Sequence, residues 1–349
     1  MAAMNTLTLA LLLVASPALA QSTATLRGID VYRSAVINAE KATMLFGPRL
    51  KEYATLKNTH RPANDDKAEV LRKSLEKEVA AMPGVAFVEL TVSEYFTSVD
   101  HAMYATFDVV DAADSGRLAF APLAKKPAAD PDGLVAAWKQ YYDTGSALAR
   151  RGEMPLDRPD CPGFYCLWGG ATPALDALQK RFVVGAGTKE RELRAVLAGD
   201  PDGEHRAGAL FVLSYGPRGE KVVESCLNAL RDPSAAVRGA GLQILADIVV
   251  HRKDLRFDAD RVTALLDDPS GAVRGKALGL LVPMVDDKAA RAKILAAAPR
   301  LVDLLKLQQP ENHDLAFTVL GLVSKKNFDR RDYVSWESWA AKAAAGKAD

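Results

Sequence analysis

The chain is poor in the side chains that hold metals. Three cysteines and five histidines stand among 349 residues, and the histidines, at positions 60, 101, 205, 251 and 313, are scattered. A zinc site needs further ligands close to any pair of these, so no metal and no other cofactor is expected. Excess charge of either sign is also lacking. Lys and Arg number 45 against 44 Asp and Glu, a net charge of +1, so no global field draws the chain to nucleic acid or anionic lipid. Missing too are Gly-x-Ser-x-Gly, Gly-x-x-x-x-Gly-Lys-Ser/Thr, His-Glu-x-x-His and Gly-x-Gly-x-x-Gly. Those absences remove the common hydrolase, nucleotide-binding, metalloprotease and dinucleotide patterns. Acidic pairs such as Asp65-Asp66, Asp267-Asp268 and Asp286-Asp287 read as caps and solvated turns. No catalytic residue is nominated.

No apolar run reaches the ~20 residues that span a bilayer. The opening MAAMNTLTLALLLVASPALA carries a short apolar stretch, Leu7 to Ala15, then small residues at Ala18 and Ala20. It reads as a secretory signal over residues 1–20, cut before Gln21, although it lacks the usual Lys or Arg. Export makes a disulfide between Cys161 and Cys166, in DCPGFYCLWGG, the simplest reading of that loop;. Closing so small a loop contributes about 2 kcal/mol at most.

Residues 21–120 read as a small α/β domain. A strand is expected around Gly28 to Val36 and a helix over 38–56, with Ala42, Leu45, Phe46, Leu50 and Tyr53 on one face. Arg61 to Asp66 read as a loop. A second helix carries Val70, Leu71, Leu75, Val79 and Met82, and Pro83-Gly84 ends it. Strands follow from Val85 and from Ala105, with Ser98 to His101 in the turn between them. This β-α-α-β-β order, with Asp111 ending the last strand, resembles the POTRA domains of envelope assembly proteins. No series of barrel strands follows, so barrel assembly is not carried over. Residues 121–132 form a Pro/Ala-rich linker. Asp130 or Asp132 then caps a helix with Leu134, Val135, Trp138, Tyr141, Tyr142 and Leu148 toward a core. With the cysteine loop and a helix from about Thr172 to Val184, the segment 121–185 makes a helical cap.

The remainder, 186–349, is written in units. Asp200-Pro201, Asp232-Pro233 and Asp268-Pro269 mark three turns, and six residues past each Asp stands an arginine: Arg206, Arg238 and Arg274. An apolar helical stretch flanks each turn on both sides. Proline fits the turn because no helical hydrogen bond is asked of its nitrogen there. Asp202, Ser234 and Ser270 are placed to cap the second helices. One such helix pair cannot cover its own apolar face, but stacked neighbours can. Each arginine can reach the aspartate of a neighbouring turn, giving a ladder of charge-assisted bonds. Gly239 and Gly275 then read as places where adjacent helices come close. Cys226 and His205 align with apolar positions, Val262 for the first and Val237 and Val273 for the second, and read as packing residues.

This pattern resembles HEAT repeats, more narrowly the short bacterial kind with Asp-Pro-x-x-x-Val-Arg turns. The resemblance implies an α-solenoid. A fourth unit, QQPENHDLAFTVLGLV, lacks the arginine, and Trp336 and Trp339 mark a closing helix over the last repeat. The expected fold is therefore α + α/β, a C-terminal solenoid behind a small α/β domain. The expected function is a non-enzymatic exported scaffold that binds a protein or peptide. Two alternatives stand beside it. Similar HEAT-like proteins act as chromophore lyases on phycobilisome proteins, and an enzymatic site could lie within residues 25–185.

Overall fold

The computed structural model describes residues 24–58, 61–96, 101–124, 128–154 and 161–347. The leader at 1–20 and the turn at 98–100 lie outside them. Two features dominate: a three-stranded sheet near the N-terminus and a long succession of helices after it.

The first strand, β1 (Thr25–Tyr32), leads into α1 (Ala39–Lys57) and α2 (Pro62–Ala80), then β2 (Val85–Phe96) and β3 (His101–Asp111). The sheet order is β1-β3-β2, with β3 parallel to β1 and antiparallel to β2. This is the element order expected. Asn38 caps α1 by accepting from the Lys41 amide at 2.8 Å. The Arg61 to Asp66 stretch, expected as a loop, is instead the first turn of α2, with Pro62 at its start. Proline's missing N–H costs nothing at that position and its fixed φ suits a helix. Gly84, at φ +90°, makes the turn into β2. Phe46 and Leu50 of α1 and Leu75 and Val79 of α2 bury themselves with Leu90 and Phe107 of the sheet. Leu45 and Val70, expected on the buried faces, are exposed.

Next come α3 (Leu134–Arg150) and α4 (Pro173–Thr188). Three helix pairs follow: α5 (Glu190–Gly199) with α6 (Gly203–Leu213), α7 (Gly219–Ala229) with α8 (Ala235–His251), and α9 (Asp260–Ala264) with α10 (Gly271–Met284). Each pair is joined through one of the Asp-Pro turns. The chain ends with α11 (Lys288–Ala296), α12 (Ala298–Leu305), α13 (Pro310–Ser324) and α14 (Tyr333–Ala344). The second helices form a row, in which α3 packs on α6, α6 on α8, α8 on α10 and α10 on α13. One continuous apolar core runs from α3 to α14. Trp336 and Trp339 are buried, and Trp336 stands edge-on to Phe317 of α13. Trp138 and Tyr141 are buried as expected, whereas Tyr142 is 51% exposed. Asp130 accepts from the Val135 and Ala136 amides and so starts α3.

The segment after the sheet is a strap that runs across the repeat turns in reverse order. Arg117 donates to the Asp267 carbonyl, the Ala121 amide to the Arg231 carbonyl, and the Ala124 amide to the Ala198 carbonyl. Each acceptor precedes one Asp-Pro turn by one or two residues. Phe120 lies against the Arg238 guanidinium, 4.5 Å from ring centre to carbon. The strap therefore carries the chain from a sheet packed at the α10–α13 end to α3 at the other end. No helix among the described residues is long and apolar enough to cross a membrane.

Candidate functional site: a ladder and a groove

The six repeat residues form a row, one rung per layer. Arg206 grips the Asp232 carboxylate with Nε and Nη2 at 2.8 and 2.6 Å, and Arg238 grips Asp268 at 2.6 and 2.8 Å. Each arginine also donates to the carbonyl of its own turn's aspartate: Arg206 to Asp200, Arg238 to Asp232 and Arg274 to Asp268. Both side chains of each Arg–Asp pair are buried. The aspartates have a second task, because each accepts the amide two residues on, at Asp202, Ser234 and Ser270. That local bond shapes the turn before the second helix. Ser234 and Ser270 consequently make no side-chain cap, contrary to expectation, while Asp202 does cap α6.

At the last rung the fourth turn offers Gln309-Pro310 in place of Asp-Pro. Arg274 turns to Asn312 Oδ1 at 3.2 Å and to Asp108 Oδ1 at 2.5 Å. Asp108 belongs to β3, so the sheet supplies the carboxylate that the repeat lacks. It also accepts the Gly271 amide at the start of α10. Tyr32 of β1 lies under the Arg274 guanidinium at 3.9 Å and donates its hydroxyl to the Leu266 carbonyl. Asp30, also on β1, accepts the Gln308 and Gln309 amides ahead of α13. Burial pushes the carboxyls of Asp30 and Asp108 upward, opposed by these donors.

At the first rung no arginine pairs with the Asp200 carboxylate among the described residues. His205 stays exposed there, 3.5 Å from the Asp200 carboxylate and 3.7 Å from that of Asp202, so it is not the packing residue expected from its alignment. A hydrated imidazole gains more from those carboxylates than from an apolar contact. Cys226 is fully buried, and burial pushes its thiol far upward, which leaves little thiolate for chemistry;.

A groove of about 950 Å³ runs over α3, α6, α8 and α10. Trp138 and Phe211 stack in its floor at 4.5 Å, with Gly208 beside them. A Cβ at Gly208 would sit 3.1 Å from Val135, so that position has no room for a larger side chain without adjustment. The cysteine loop forms one wall through Tyr165, Leu167 and Trp168. Cys161 and Cys166 are joined as a disulfide, with Cα atoms 5.6 Å apart. Around it the loop is pinned on three sides. Phe164 donates its amide to the Ser214 carbonyl, Gln243 its amide nitrogen to the Tyr165 hydroxyl, and Trp168 its amide to the Tyr141 hydroxyl. Trp168 lies directly across Gly145, where any Cβ would overlap its ring.

Charge in the groove is sparse. Lys139 is paired with Asp143 at 2.5 Å. Lys276 crosses Gly239, whose missing side chain leaves it room, and reaches Gln243 Oε1 at 3.4 Å. Glu311 occupies the equivalent space over Gly275. These glycines therefore accommodate a neighbour's polar side chain, where close helix approach alone was expected. The concavity partly desolvates Lys276 and lowers its pKa, with Glu311 acting in the opposite direction.

Sequence reasoning nominated the six ladder residues and missed Asp30, Tyr32, Asp108 and the groove. An aspartate inside each of the strand runs TLRGIDVY and ATFDVVD was the available signal. Among the described residues, no group of three His, Cys, Asp or Glu could hold a metal ion. No family model, curated protein or solved structure matches the chain.

Proposed function

We propose that the chain is an exported, non-enzymatic adaptor built on a HEAT-like solenoid, which receives a protein or peptide in the groove over α3, α6, α8 and α10. The observation that carries this reading is how the groove is made. Successive helices of the row each contribute to it, Trp138 from α3, Phe211 from α6, Gln243 from α8 and Lys276 from α10. A stack of this kind offers an extended concave surface and no single focus for chemistry. The ladder of Arg206, Arg238 and Arg274 is consumed in buried pairs, which supports a structural role. The ridge of Asp-Pro turns already carries the strap, so a partner is left the groove. The disulfide supports an exported protein, and no helix among the described residues is long and apolar enough to cross a membrane.

The test is site-specific photocrosslinking in the cell envelope, with a photoreactive residue at Tyr142 in the groove or at exposed Val334 on the closing helix. A discrete adduct from position 142, absent from position 334, is expected. Equal labelling at both positions, or none at 142, refutes the adaptor reading.

A further inference from the structure

The groove spans four helices, a distance of three interaxial steps of about 8–10 Å. An extended chain covers that in about eight or nine residues at ~3.3 Å each. Its reachable apolar surface, on Phe211, Leu167 and Trp168, lies along the wall and floor. Its charges are distributed unevenly. Lys139 is neutralised by Asp143, and Glu204 sits at the exposed first turn of α6, two helices along the row from α10. Lys276 is exposed, with no carboxylate within ion-pair distance among the described residues, and Glu311 of α13 is the carboxylate that acts on it from farther off. Beside it, the Gln243 amide can give and take hydrogen bonds with a peptide group. An exposed ammonium without an ion pair, beside the groove's apolar wall, still favours an anionic group there, because the wall lowers the local dielectric below that of bulk water;.

We infer that the groove takes an extended acidic peptide segment, with a Glu or Asp side chain seated on Lys276 and alternate apolar side chains on Phe211 and Trp168. This rests on the adaptor reading and names the chemistry of its partner. It is complementary at the α10 end in charge and along the wall in apolarity.

The experiment measures fluorescence polarisation of labelled decapeptides with the whole exported chain. One probe alternates Leu and Glu, a second Leu and Lys, a third Leu and Ser. The Leu/Glu peptide is expected to bind at least tenfold tighter than either of the others. Lys276→Glu should remove that preference and favour the Leu/Lys probe, while Lys276→Met should leave the three probes within about threefold of one another. Circular dichroism of both variants verifies the fold, and both changes lie at an accessible side chain. Equal binding of the acidic and basic probes, or unchanged preference in Lys276→Glu, overturns the inference. Binding of dodecanoate that displaces the Leu/Glu peptide also overturns it, in favour of a small amphiphile. A crosslinked protein at position 142, together with no preference for the acidic probe, refutes the peptide chemistry but spares the adaptor reading. Failure of the crosslinking experiment, whatever the peptides do, refutes the adaptor reading itself.

Discussion

Arg274 and Asp108 meet 166 positions apart in sequence, Nη2 to Oδ1 at 2.5 Å, with neither side chain accessible to solvent. One is the last rung of a helical ladder and the other the middle of a sheet strand. Their pairing joins the two halves of the molecule. A buried pair of this kind contributes little relative to an apolar replacement, yet losing one partner leaves an uncompensated charge. Asp108→Ala should therefore cost about 3–5 kcal/mol. Asp108→Asn, which keeps an acceptor for the Gly271 amide, should cost less. Urea denaturation reads both losses. Protease nicking between Ala119 and Ala124 should also accelerate in Asp108→Ala, because the strap is anchored at the same seam through Arg117. Unchanged stability in Asp108→Ala would show that the seam is not a structural weld.

The aspartates that open the three turns look alike in sequence but are not alike in structure. Asp232 and Asp268 each hold a buried arginine of the preceding layer, while Asp200 holds only a local amide and lies near exposed His205. Asp268→Ala is expected to lose about 3–5 kcal/mol, since Arg238 is left buried without its carboxylate. Asp200→Ala should lose only about 1 kcal/mol, the usual contribution of a local side-chain-to-amide bond at a helix start. A double-mutant cycle of Arg238→Met with Asp268→Leu should show coupling of about 1–3 kcal/mol. Equal losses at positions 200 and 268 would mean that the rungs do not act through their arginines.

Position by position, what the sequence disclosed was whatever recurs. Asp232-Pro233 and Arg238 come again as Asp268-Pro269 and Arg274, so turn, helix and arginine could be aligned and one rung inferred from another. The strand and helix order before residue 112 was readable because Phe46, Leu75 and Phe107 follow the periods of their elements. The seam was not readable. Asp108 occurs once, and its partner is set by how two folded units meet. The groove escaped for the same reason, since Trp138, Tyr165 and Lys276 lie on separate segments and share no local period. Tyr142 and His205 show the converse error: helical spacing assigned the first to a packed face and repeat alignment the second, and the actual neighbours left them in water.

The cysteine loop makes a wall of the groove, so its covalent closure should matter more for binding than for folding. Cys166→Ser opens a loop so short that the chain-entropy cost is about 2 kcal/mol or less. The hydrogen bonds from the Trp168 amide to Tyr141 and from Gln243 to Tyr165 remain available, which argues for a locally loosened wall in an otherwise intact stack. The expected result is a Tm lowered by a few degrees and weaker binding of the Leu/Glu decapeptide. A similar loss of affinity after mild reduction of the native chain would locate the effect in the disulfide itself. Full unfolding on reduction would instead mean that the loop holds the stack together.

Lys276 provides a pH signature for the groove. Burial in the concavity lowers its pKa below the ordinary 10.5, and Glu311 of α13 is the charge that opposes the shift. Facing it from α8 are uncharged Gln243 and Gly239, so no further ionised group among its described contacts compensates the desolvation. Because the folded-state pKa lies below the unfolded one, the charged lysine costs stability at low pH. That cost fades as pH rises through the folded value toward 10.5;. Peptide binding runs the other way, since the anion needs the ammonium. Affinity for the Leu/Glu decapeptide should therefore fall while ordinary lysines are still charged, and the fall should vanish in Lys276→Met. Titration of ¹³C-methylated lysines by NMR identifies the group directly: the Lys276 signal should move below the ordinary lysine value of 10.5, and binding of the acidic peptide should shift its midpoint upward. A Lys276 midpoint at or above 10.5 in the free chain would remove the basis for reading this end of the groove as an anion seat.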